Sequence, residues 1–223
     1  MKILTLNGKI ELLSGLHIGG GDDTMKIGGI DKEVVKIYDK ELKREVPYIP
    51  GSSIKGKIRS LLEWNLGLVG ISDGKPFSSD LLDDPIFNDE EKEKKAKNLL
   101  KIFGDASNNK KEEIGITRAV FCDSYLSDST KEMLKNGEIE IKEAKYENSI
   151  DRRTGTASNP RQIERVPAGV EFAFEINIKI LPEDNEKELK ELIREGIKLL
   201  ELDYLGGSGS RGYGRVKIDY EWK

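Results

Sequence analysis

Three stretches of this chain carry residue types and spacings suited to phosphate chemistry. The first is Gly206-Gly-Ser-Gly-Ser-Arg-Gly-Tyr-Gly-Arg-Val216, in which five of eleven residues are glycine. Glycine accepts positive φ and has no Cβ, so successive N–H groups can turn toward one anion while Arg211 and Arg215 add fixed charge. The segment is no Walker loop, because no Lys-Ser/Thr follows its last glycine. It is no dinucleotide fingerprint either, because a helical pattern precedes it and a strand pattern follows. The same composition also suits a tight connection. The second stretch is Pro47-Tyr-Ile-Pro-Gly-Ser-Ser-Ile-Lys-Gly-Lys-Ile-Arg59, where Ser52 or Ser53 is expected to cap a helix, with Lys55 and Arg59 four apart on one face. The third is glycine-rich, Gly15-Leu-His-Ile-Gly-Gly-Gly-Asp-Asp23 continuing to Ile27-Gly-Gly-Ile-Asp31, and holds the only histidine, His17.

Elements must place these groups, and the pattern supplies them. Residues 3–14 read as a strand, and short apolar pieces at Val34–Tyr38 and Val46–Ile49 as two more. Ile54, Ile58, Leu61 and Leu62 mark a helical face that ends near Gly67. From about 70 to 113 the pattern weakens around a charged helix (about Glu90–Phe103), which reads as an insertion packed over the core. Strand signals return at Ile114–Tyr125, and a short helix follows near Ser129–Asn136. Residues 138–167 read as a long β-hairpin carrying Arg152, Arg153, Arg161 and Arg165, partly neutralised by Asp151 and Glu164. Phe172, Phe174, Ile176, Ile178 and Ile180 alternate along the clearest strand. A helix expected to start at Pro182-Glu-Asp follows, with Leu189, Leu192, Ile193, Ile197 and Leu200 on its apolar face, and Arg215–Trp222 closes the chain. Without the additions the order is strand, helix, strand, strand, helix, strand. That is an α+β, ferredoxin-like split βαβ arrangement, with a four-stranded antiparallel sheet covered by helices on one face.

Composition narrows the classes further. The net charge of −4 is concentrated in residues 80–95 and 183–203, each summing to −4, which leaves +4 for the rest. The local field, rather than the total, governs phosphate binding. The single cysteine, Cys122, lies in an apolar run, which excludes an internal disulfide framework or cysteine-ligated zinc. No stretch of about 18 apolar residues and no apolar leader is present, so the expectation is a cytoplasmic protein without membrane association.

Taken together and in order, the three motifs resemble the RAMP superfamily of CRISPR RNA-binding proteins. They are most similar to the multi-copy backbone subunits of type III-A (Csm) effector complexes, and the resemblance spans nearly the whole chain. It implies a single domain over residues 1–223: a ferredoxin-like palm, a helical lid (about 70–113) and a protruding thumb hairpin (about 138–167). It implies copies stacked in a filament along a guide CRISPR RNA beside other subunits, among them the RAMP subunit that holds the guide 5′ end and the small subunit. The resemblance further implies that paired target RNA is cut at regular intervals by an aspartate on the loop between the first strands, which by motif position would be Asp31. Such a carboxylate can hold or deprotonate a ribose 2′-hydroxyl, or place Mg²⁺ or another divalent ion on the scissile phosphate. No zinc is expected, since the lid has no cysteine or histidine. His17, Ser52, Ser53, Lys55, Gly56, Arg59, the four hairpin arginines, Gly207, Ser208, Arg211 and Arg215 are the expected RNA contacts. Two other classes compete: a non-catalytic RNA-binding scaffold, in which Asp31 is a turn residue, and an unrelated small-molecule enzyme, for which no motif is visible.

Overall fold

The computed structural model describes residues 1–20, 33–87, 89–107 and 114–223. Its central sheet runs β4-β7-β1-β8, built from β1 (Lys2–Leu12), β4 (Ala119–Phe121), β7 (Glu171–Ile180) and β8 (Val216–Trp222), with every neighbouring pair antiparallel. Two helices, α1 (Gly51–Asn65) and α4 (Glu186–Leu202), complete the ferredoxin-like order expected from the sequence. The register pairs Leu6 with Ile176 and Ile10 with Phe172 at the sheet centre.

Alternation determines which face is covered. Leu4, Leu6, Ile10 and Leu12 of β1 and Phe172, Phe174, Ile176 and Ile178 of β7 all point into the core. There they meet Ile54, Ile58 and Leu62 of α1 and Leu189, Ile193, Ile197 and Leu200 of α4. Each such side chain contributes about 1.5–3 kcal/mol on burial. The helices lie close because Gly196 has no side chain: a Cβ there would sit 2.5 Å from Ile58 Cγ2.

The other face of the two central strands is polar. Thr5 Oγ1 donates to Asn177 (2.7 Å), Asn177 Nδ2 to Glu175 (2.6 Å), and Lys9 pairs with Glu171 (3.1 Å). RNA-recognition sheets of this topology stack bases on aromatic side chains of their central strands. Here the aromatics of β7, Phe172 and Phe174, face inward. The loops at the sheet's end are the better place to look for a site.

Between these elements lie a small β2–β3 hairpin (Lys36–Asp39 and Arg44–Pro47) and α2 (Glu90–Phe103), the latter packed on α1 and α4. A short α3 (Asp128–Lys135) and the long hairpin β5–β6 (Glu143–Ile150 and Ala157–Arg165) complete the fold. The strand expected over Ile114–Tyr125 is only three residues long. Its N-terminal flank is spent on Arg118, which is 1% exposed and bonded to Asp184, to Glu183 and to the Ile114 and Ile116 carbonyls. That pair also moves the start of α4. Asp184 is used up by Arg118, and Asn185 becomes the cap, accepting from the N–H groups of Lys187 and Glu188. No helix among the described residues is long and apolar enough to cross a membrane.

Candidate nucleic-acid interface

Three stretches distant in sequence meet at His17. Leu16 and Val166 exchange backbone hydrogen bonds (2.8 Å each), Gly214 N–H donates to the Gly15 carbonyl (3.0 Å), and Gly207 N–H donates to the His17 carbonyl (2.9 Å). The His17 ring, only 9% exposed, places Nδ1 2.7 Å from the Glu164 carbonyl. A carbonyl can only accept, so Nδ1 carries a hydrogen and donates it. Thus the first glycine segment, the base of the hairpin and the C-terminal glycine loop form one junction.

Much of the glycine content of that loop answers to the chain itself. A Cβ at Gly206 would lie 2.4 Å from the His17 carbonyl, at Gly209 2.0 Å from the Tyr204 ring, and at Gly214 1.9 Å from the Leu205 carbonyl. Gly207 has ordinary contacts and Gly212, at φ +83°, faces open space. Close approach by a ligand is therefore available at Gly207, Ser208 and Gly212 rather than along the whole loop. Ser208 is left-handed (φ 62°), and its hydroxyl accepts from Arg211. Arg215 is exposed on the rim of an open hollow shared with Asp203, Tyr204, Gly209 and Tyr213.

At the start of α1 the structure corrects the expected cap. Neither Ser52 nor Ser53 caps the helix; Pro50 is the N-cap residue, and Asp123, from the segment after β4, accepts the Gly51 N–H at 2.8 Å. Gly51 is required there, since a Cβ would lie 2.1 Å from the Phe121 carbonyl. The Ser53 and Ile54 N–H groups bond to the Pro50 carbonyl. The helix end is thus already partly satisfied, and an acid stands where a phosphate was expected. Exposed Ser52 and Gly56 and half-buried Ser53 and Lys55 still share this end of the helix. Burial, and then the nearby Arg59 charge, lower the Lys55 pKa.

Arg59 is a second correction. Its guanidinium bonds to Glu63 (2.8 Å), the Phe77 carbonyl (2.7 Å) and the Gly104 carbonyl (3.1 Å), with Glu63 also accepting the Phe77 N–H. It ties α1 to the segments at Phe77 and Gly104 instead of facing outward with Lys55.

The hairpin arginines do not behave alike. Arg152 and Arg153 sit exposed at the tip, Arg153 pairing with Asp151 only at 3.8 Å. Arg165 pairs with Glu143 and lies over the Tyr213 ring (5.0 Å). Arg161 is neutralised by Glu147 rather than by Glu164, which among the described residues pairs with Lys36 and with no arginine. Glu147 collects Arg161 (3.3 Å), Arg211 (3.3 Å) and the hydroxyl of buried Tyr213 (2.9 Å). Burial opposes the charge on Glu147, but Tyr213, Arg211, Arg161 and Lys145 outweigh it and hold the carboxyl below its ordinary range. Burial and Glu147 together push the Tyr213 hydroxyl up.

Asp31, with Asp22 and Asp23, lies outside the described residues. The chain on either side is well tied: Gly19 bridges to Val34, and Val35 N–H donates to the Ile18 carbonyl (2.8 Å). Among the described residues no three His, Cys, Asp or Glu side chains are grouped to hold a metal ion.

These features agree with comparison to known proteins. The RAMP superfamily model matches residues 9–217. The chain is 39% identical over 222 residues to the Streptococcus thermophilus protein named CRISPR system Cms endoribonuclease Csm3, covering 97% of this chain and 87% of that one. It is 42% identical to the protein of the same name from Methanocaldococcus jannaschii, covering 98% and 82%. A chain in the cryo-EM structure of the type III-B Cmr-beta complex, bound to cognate target RNA, superposes with a TM-score of 0.58 at 20% identity. That match covers 99% of this chain and 61% of the other, a likeness of fold. With its palm, the junction of its first and last glycine segments at His17 and this identity along nearly its whole length, the chain belongs to the RAMP superfamily and, within it, to the Csm3 family of CRISPR endoribonucleases.

Proposed function

We propose that the protein is a multi-copy backbone subunit of a type III CRISPR effector complex, an endoribonuclease that holds guide RNA and cuts the complementary target RNA at regular intervals. The observation carrying this reading is identity of about 40% to Csm3 endoribonucleases over almost the entire chain, with all three motifs in place. Guide phosphates are assigned to Ser52, Ser53, Lys55 and Gly56 at the start of α1, and to Gly207, Ser208, Arg211 and Arg215 of the glycine loop, with His17 at the junction between loops. Arg152, Arg153 and Arg161 reach toward the guide–target pair from the hairpin, while Arg165 sits at its base. Like copies stack along the guide, with other subunits of the complex at the ends and flank.

Asp31 is the proposed catalytic carboxylate, orienting or deprotonating the ribose 2′-hydroxyl next to the scissile phosphate. A divalent ion would neutralise charge on that phosphate. Asp31 and RNA phosphates are the groups proposed to hold it, with Asp22 and Asp23 in the same segment.

The test is cleavage of labelled RNA complementary to the guide by reconstituted complex containing wild type or Asp31→Asn, with and without magnesium. Evenly spaced, magnesium-dependent cuts that vanish in the variant, with target binding retained, are the expected result. Binding without cuts in both proteins would leave a scaffold.

A further inference from the structure

Glu164, in β6, is a buried carboxylate for which phosphate binding has no use. Its side chain is 5% exposed, and it accepts the Val34 N–H at 3.0 Å and pairs with Lys36 Nζ at 2.9 Å. The same residue's carbonyl takes His17 Nδ1 at 2.7 Å. Lys36 also pairs with Glu33 (2.9 Å); burial works against its charge, but the two carboxylates outweigh that and raise its pKa. His17 stands just before the segment that carries Asp31, and Val34 lies three residues after Asp31. One hairpin residue thus grips the chain on both sides of that segment. Carboxylates are almost never this deeply buried without a partner, and replacing a whole buried ion pair by apolar side chains of similar size is often neutral for stability. An ion pair retained at this place is better explained by what it aligns.

We propose that Glu164 is a positioning residue for target cleavage. It locks the chain flanking Asp31 to the base of the hairpin, so that seating the hairpin on RNA and placing the carboxylate are one mechanical event. The proposal rests on the reading of Asp31 as the cleaving group. Small misplacement of a reacting group costs up to about 10²-fold in rate.

The experiment is single-turnover cleavage at saturating target by reconstituted complex containing Glu164→Ala, Glu164→Gln or Lys36→Met, alongside Asp31→Asn. Target affinity and melting temperature are measured on the same preparations. Expected are a rate about 10–10²-fold down for Glu164→Ala at near-unchanged target affinity, and partial rescue by Glu164→Gln, whose amide oxygen still accepts the Val34 N–H. Lys36→Met, on the opposite side of the pair, should slow cleavage and lower the melting temperature, because it leaves Glu164 buried without its ion-pair partner. Wild-type rates in Lys36→Met and Glu164→Gln, with Asp31→Asn inactive, would overturn the positioning role and leave the catalytic assignment intact. Full activity in Asp31→Asn would instead remove the reading on which the proposal rests.

Discussion

Lys55 and Arg59 have the same charge and share a helix, yet the structure separates them. Arg59 faces three acceptors and serves as a strut, whereas Lys55 is half-buried beside exposed Gly56. Lys55→Ala should therefore weaken guide binding and lower the slope of log affinity against log salt by about 1. Arg59→Ala should instead lower the melting temperature, because it leaves Glu63 buried without its ion-pair partner. A filter-binding salt titration and a thermal melt of each variant separate the two roles. Tyr213→Phe, which deletes the hydroxyl donated to Glu147, should cost about 1.5–3 kcal/mol of stability by denaturant unfolding. The chemistry-bearing residue types were legible in the sequence, but their partners were not. Asp123 caps a helix 72 residues away, and Glu147 meets Arg211 across the fold, so no local pattern could show either pairing. Arg118 reads as one more surface charge until Asp184 is placed beside it.

Elements were easier to foresee than contacts, because alternation and helical spacing are local properties. The five-residue apolar alternation of β7 and the apolar stripe of α4 are both in place, and β5–β6 pair as a long hairpin. The glycines divide by element as well. Gly196→Val should cost about 1–3 kcal/mol, because the α1–α4 crossing has no room beside Ile58. Gly212 and Gly214 both have positive φ, but only Gly214 is pressed against a carbonyl. Gly212→Ala should cost about 1 kcal/mol from the backbone alone. Gly214→Ala should cost well beyond that and dislodge the loop from Gly15, as urea unfolding of the pair would reveal. Such glycines look identical in a sequence; only the neighbouring backbone distinguishes a ligand cradle from a tight corner.

At the scale of the molecule, the Arg118–Asp184 pair joins the edge strand β4 to the turn between β7 and α4, with both side chains at most 1% exposed. Burial opposes the Asp184 charge, but Arg118, the Leu181 N–H and Lys101 prevail and lower its pKa. A depressed carboxylate stabilises the fold above its unfolded pKa of about 3.9 and loses that contribution as pH falls through the lower folded value. Asp184→Asn should cost about 3–5 kcal/mol at neutral pH, since it leaves the buried guanidinium with only exposed Glu183 as its counter-charge. The gap to wild type should close below about pH 4, which melting curves across that range would show. The cluster at Glu147 has a different kind of consequence. Two arginines of the candidate interface already carry a carboxylate from the same chain as their counterion. An RNA phosphate that takes Arg161 or Arg211 competes with Glu147 for the guanidinium. A carboxylate freed in this way holds back some of the cations that the RNA would otherwise release, so binding at that spot sheds fewer of them than contact with an unpaired arginine would. A count of phosphates made from the salt dependence of binding will therefore come out lower than the number of contacts formed.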